Sequence, residues 1–116
     1  MALVLLITRS DQPDVLKTVP VEKKLILGSS IYCDIVLEDR SVASMQCEVW
    51  PARSGHLLIK NLDSKKEVLL NQSRLKKAAL KIEDTIKVGA FLMKIDSTQL
   101  TVEEIAVLNT EYEEFV

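Results

Sequence analysis

Leu27-Gly28-Ser29-Ser30-Ile31-Tyr32-Cys33-Asp34-Ile35-Val36-Leu37 sets the pattern for the whole chain. Two apolar runs, one ending at Leu27 and one beginning at Ile35, flank a glycine-serine cluster, so strand, turn and strand are expected. The same alternation repeats in both directions at intervals of about eight to twelve residues. Strands are expected at 3–8, 16–21, 24–27, 35–37, 47–50, 57–61, 68–70, 73–75, 85–88 and 91–95. Turn-forming clusters separate them at 9–14, 28–30, 53–55, 63–66 and 83–84. Many short strands at this spacing predict an all-β chain folded as a two-sheet antiparallel β-sandwich.

Size and composition agree with one such unit. The chain has 116 residues, 47% of them hydrophobic and 28% charged, which suits a single core. The formal charge of −2 disfavours direct nucleic-acid binding as the main role. Glu103, Glu104, Glu111, Glu113 and Glu114 are acidic with no base among residues 103–116, leaving 15 bases against 12 acids in the rest. Cys33 and Cys47 form no CxxC pair, and His56 is the sole histidine; zinc spacing is absent and no metal or cofactor is expected. The apolar run at the N-terminus is about six residues, short of the roughly 20 a membrane helix needs and without a basic leader. An intracellular, reduced protein is expected.

Strand 3–8 is apolar on both faces. Leu3, Leu5 and Ile7 form one side, Val4 and Leu6 the other. A sandwich sheet buries one face only, so the Val4 and Leu6 side must be covered or be an association surface. Thr101-Val102-Glu103-Glu104 fits a capping box, and Ile105, Leu108, Tyr112 and Phe115 follow at helical spacing. Residues 1–100 are therefore expected to form the sandwich, and 101–116 an acidic amphipathic segment, helix or linker. A helix there would dock on the domain or on a partner.

From residue 24 to 96 the sequence resembles a forkhead-associated (FHA) domain, a β-sandwich of the FHA/SMAD-like class that typically recognises phosphothreonine peptides. Residues 27–37 look like its glycine-arginine turn and Asp-Ile-Val-Leu strand. Val42-Ala43-Ser44-Met45-Gln46-Cys47-Glu48-Val49 is similar to its Ser-Arg-x-His-Ala-x-Ile motif. Residues 61–71 resemble its Asp-Leu-x-Ser-x-Asn-Gly-Thr-x-Val-Asn, and residues 80–89 its closing Leu-x-x-Gly-Asp-x-Ile-x-Ile-Gly.

The contact positions depart from that pattern. The arginine after the turn glycine is Ser29; the next motif's serine is Ala43, its arginine or asparagine is Ser44, and its buttressing histidine is Gln46. Lys65 and Lys66 stand where the peptide-gripping pair belongs. The resemblance therefore implies a non-catalytic interaction module that has lost ordinary phosphothreonine binding. The alternative is a reader with a rewired pocket of Lys65, Lys66, Ser29 and Ser44. Self-association as a homodimer is expected through Val4, Leu6 and Leu92, joined by Ile105, Leu108, Tyr112 and Phe115. An FHA domain so near the first residue also resembles the N-terminal module of checkpoint-mediator adaptors of the DNA damage response, the insect Mutator-type proteins among them. A nuclear adaptor, with chromatin association as one option, follows as an expectation, with proteins as partners and neither nucleic acid nor membrane. No nucleophile, base and orienting group come together; His56 is expected in a surface or hairpin role.

Overall fold

The computed structural model describes residues 3–113. Among these residues, eleven strands precede one helix. They are β1 (Val4–Arg9), β2 (Gln12–Pro20), β3 (Leu25–Gly28), β4 (Ile35–Val36), β5 (Cys47–Pro51), β6 (Leu57–Asn61), β7 (Val68–Leu70), β8 (Ser73–Arg74), β9 (Lys77–Leu80), β10 (Ile86–Val88) and β11 (Phe91–Ile95). The helix, α1, spans Val102–Leu108. One sheet runs β2-β1-β11-β10-β7-β8 and the other β4-β3-β5-β6-β9. All pairings are antiparallel except β3 with β4, which is parallel.

Alternation puts Leu5 and Ile7 of β1, Leu27 of β3, Val49 of β5, Ile59 of β6 and Ile86 of β10 in the space between the sheets. Each of these side chains is fully enclosed, and burial of such a residue contributes about 1.5–3 kcal/mol. Strand β9 was not expected, because Lys-Lys-Ala-Ala-Leu has low strand propensity. It forms because β6 offers an open edge, and Leu57 pairs with Leu80.

Register corrects the expected association strip. On the outer face of the larger sheet Leu6 stands opposite Lys94, while Leu92 stands opposite Thr8 and Lys87. Val4, Leu6 and Leu92 are half-buried, but the two lysines interrupt the strip. Helix α1 does not supply its cover. Leu108 enters the main core instead, with 1% of its surface exposed. Asn109 caps the helix, and its Oδ1 accepts from Ile82 N–H at 3.4 Å. The chain is no longer helical at Tyr112, whose ring meets His56 edge-on at 5.3 Å. Leu108 is thus spent inside the domain and Tyr112 packs on it, so neither belongs to a free association face. Ile105 is half-buried on the helix, and Phe115 lies outside the described residues.

His56 is also not a surface residue. It is 4% exposed, its Nδ1 lies 2.6 Å from Ser54 Oγ, and its Nε2 lies 3.1 Å from the Thr110 carbonyl oxygen. Both ring nitrogens find partners, so the imidazole pins the C-terminal segment to the β5–β6 hairpin. The capping box at Thr101 and Glu104 forms as the sequence indicated, with Glu104 N–H donating to Thr101 Oγ1 at 3.1 Å and Thr101 N–H to Glu104 Oε1 at 2.9 Å.

Candidate interaction site

Helix α1 and the β5–β6 hairpin occupy one end of the sandwich. The opposite end is built from the β3–β4 loop (29–34), the β4–β5 loop (37–46) and the β6–β7 loop (62–67). These loops carry all six positions singled out by the sequence, and backbone bonds lace them together. Ser29 N–H donates to the Ala43 carbonyl at 2.9 Å, Ser30 N–H to the Ser44 carbonyl at 3.2 Å, and Leu62 N–H to the Gln46 carbonyl at 2.8 Å. Gly28 permits the second of these approaches. A Cβ at that position would sit 2.1 Å from the Ser44 carbonyl oxygen, so no larger residue fits without moving the loop.

Gln46 is the centre of the arrangement. Its side chain is fully buried. Its Oε1 accepts from Ala43 N–H at 2.9 Å, while Nε2 donates to Asn61 Oδ1 and to the Lys66 carbonyl, both at 3.0 Å. The partners fix which amide atom is oxygen, because Ala43 N–H can only donate and the Lys66 carbonyl can only accept. One amide thereby joins the β4–β5 and β6–β7 loops, the task the resemblance gives to a histidine. Gln46 departs in type from the motif histidine, and its amide bonds hold the two loops from inside.

Two carboxylates secure the loops further. Asp63 accepts from Lys66 N–H at 2.9 Å and Lys65 N–H at 2.8 Å, and these backbone bonds hold its pKa below the usual range. Asp39 accepts from the Ser41 hydroxyl at 2.6 Å, from Ser41 N–H at 2.9 Å and from the Arg9 guanidinium at 3.2 Å. The Ser41 bonds, aided by Arg9, push its pKa down to about 2. Arg9 lies 5.2 Å from the Phe91 ring centroid, tying the β1–β2 turn into the same end.

The groups facing outward are another matter. Ser29 is half-buried, Ala43 is buried, and Ser44 is exposed. None carries charge. Lys65 is exposed, but Lys66 is not a freely solvated turn residue: its Nζ donates to the Arg40 carbonyl at 2.7 Å. The lysine pair opens onto a groove shared with Ser41, Glu67, Arg74 and Lys87 on the side of the larger sheet. Sequence reasoning missed Arg74 and Lys87, which sit on strands distant in the chain. It also passed over the apolar surface of the loops: Ile31 is 79% exposed, Tyr32 92%, Met45 56% and Leu62 37%. An Ile-Tyr pair inside a turn cluster was the available signal.

Cys33 and Cys47 are free thiols. Burial pushes the Cys47 pKa up to about 12, while the Cys33 thiol donates to the Ser44 carbonyl at 3.0 Å. Among the described residues no group of three or more His, Cys, Asp or Glu side chains is placed to hold a metal ion. No helix among them is long and apolar enough to cross a membrane.

Solved structures share this architecture. The FHA domain of the CT664 protein from Chlamydia trachomatis superposes with a TM-score of 0.72 at 19% identity, over 82% of this chain and 96% of that one. The FhaA FHA domain, solved in complex with the intracellular domain of Rv3910, gives 0.69 at 19% identity, over 81% and 99%. The MEK1 FHA domain in complex with a HOP1 phosphothreonine peptide gives 0.61 at 22% identity, over 79% and 96%. No curated protein sequence matches. The fold is that of an FHA domain. Residues 14–99 match the family model described as the inner membrane component of T3SS, cytoplasmic domain. The chain belongs to that family.

Proposed function

We propose that this chain is a non-catalytic protein-interaction module that keeps the FHA loop frame and has lost ordinary phosphothreonine binding. One observation supports it most. Gln46 still brackets the loops from inside, whereas the position that resembles the phosphate-binding arginine holds the uncharged Ser29. Charge-assisted hydrogen bonds contribute roughly 1.5–3 kcal/mol each. Losing two or three costs about 3–9 kcal/mol, and about 1.4 kcal/mol is tenfold in affinity. Fluorescence anisotropy with a degenerate phosphothreonine peptide library tests this. The expected result is no binding stronger than that of the unphosphorylated library; a micromolar, phosphate-dependent complex refutes it.

Self-association is a second reading, favoured by half-buried Val4, Leu6 and Leu92 on the outer face of the larger sheet. Lys87 and Lys94 beside them restrict any such pair to a small apolar contact. Sedimentation at several concentrations decides: a species that stays monomeric at high micromolar concentration removes it. The place in a nuclear adaptor of the DNA damage response rests on the sequence resemblance alone, and the comparisons lend it no support.

A further inference from the structure

The loop end carries two surfaces of different chemistry. One is apolar. Ile31 and Tyr32 project from the β3–β4 loop, Met45 from the β4–β5 loop and Leu62 from the β6–β7 loop. The backbone bonds from Ser30 to Ser44 and from Leu62 to Gln46 bring these three loops side by side, so the four side chains share one end of the domain. All four are exposed, as is Val102 on α1. Exposed apolar groups gathered in one place mark interaction surfaces.

The other surface is basic. It begins on the same β6–β7 loop that carries Leu62. Lys65, Lys66, Arg74 and Lys87 line the adjoining groove, with Glu67 as its acidic member. Arg74 Nε lies 3.1 Å from that glutamate. Four cations against one anion leave the groove strongly positive, although the whole chain carries −2.

We propose that the loop end docks an unphosphorylated linear segment of another protein in which apolar side chains are followed by carboxylates. The apolar residues cover Tyr32, Ile31, Met45 and Leu62; the carboxylates meet Lys65 and Lys87 in the groove. This rests on the reading above, since it fills the same loops with a different ligand. Charge complementarity selects the acidic half, and the exposed aromatic and aliphatic anchors select the other. A phosphate is not needed because no loop position retains the serine-plus-arginine grip for one.

The test is selection of the purified domain against a random dodecapeptide display library, in parallel with a library carrying a fixed phosphothreonine. Enrichment of Leu, Ile or Phe next to Asp or Glu in the first library is expected. The double variant Ile31→Ser/Tyr32→Ser should weaken the selected peptides by roughly tenfold or more. The pair Lys65→Glu/Lys87→Glu should weaken them similarly and flatten their dependence on salt. Lys23→Glu, in the β2–β3 turn, should leave them unchanged. These side chains are exposed, so folding, checked by circular dichroism, is unaffected. Absence of enrichment in both libraries overturns this inference and leaves the Proposed function standing. Enrichment that depends on the phosphothreonine overturns both. A domain that sediments as a dimer and is made monomeric by Tyr32→Ser shows a second copy on the surface, and also overturns it.

Discussion

Replacing Gln46 by alanine should loosen the loop end without disturbing the sandwich. The side chain is fully buried and makes three hydrogen bonds of 2.9–3.0 Å. Removing it leaves Ala43 N–H with no acceptor in a site closed to water, a loss of about 1–3 kcal/mol. The Lys66 carbonyl keeps a longer bond from Asn61 Nδ2 at 3.3 Å, and Asn61 Oδ1 keeps Asp63 N–H at 3.2 Å. These acceptors therefore add little. The cavity adds about 1 kcal/mol or more, giving roughly 2–4 kcal/mol in all. Urea unfolding followed through the sole tryptophan, Trp50, reads this directly, and the melting temperature should fall by roughly 10 °C. Gln46→His should cost only about 1 kcal/mol, because an imidazole supplies one acceptor and one donor. The reasoning fails if Gln46→Ala lies within about 0.5 kcal/mol of the parent, the range of ordinary surface substitutions, or if the histidine variant is the less stable of the two.

Other outcomes are expected from the same geometry. Asn71 and Gln72 both have positive φ, 47° and 75°, in the two-residue β7–β8 turn; Gln72→Gly should stabilise the chain by about 0.5–1 kcal/mol in the same urea assay. Asp39 has a depressed folded pKa, so its contribution is present above the usual carboxylate value of 3.8 and is lost as pH falls toward about 2. Asp39→Asn should therefore flatten the acid limb of stability across that window in a pH series of melts. Under native conditions a thiol reagent should label the half-exposed Cys33 first, and Cys47 only upon unfolding. Equal rates for the two would contradict the burial of Cys47.

Most of the strands could be read from the chain because their period is local. Leu57–Asn61, Val68–Leu70 and Phe91–Ile95 have the bounds that the apolar pattern predicts. Strand β9 could not, since its residues take strand form only against the exposed edge of β6. Strand β2 begins at Gln12, four residues before its apolar run, because the turn from β1 is tighter than the polar stretch 9–14 implied. The candidate site was half legible. Motif order located the loops, and residue types showed what they had lost. What they had kept depends on Gln46 reaching Lys66 across 20 positions, and the basic groove depends on Arg74 and Lys87 meeting Lys65 through sheet order. Neither leaves a trace in spacing along the chain. The helical period placed Leu108 and Tyr112 on one stripe, yet Asn109 ends the helix between them.

The seating of Leu108 bears on where this unit can be cut. A fragment trimmed at residue 100 would lose Leu108 from its core, together with the Thr110 partner of the buried His56. Such a truncation would expose a greasy notch absent from the intact chain, and clumping by the fragment would report on the notch rather than on any biological pairing.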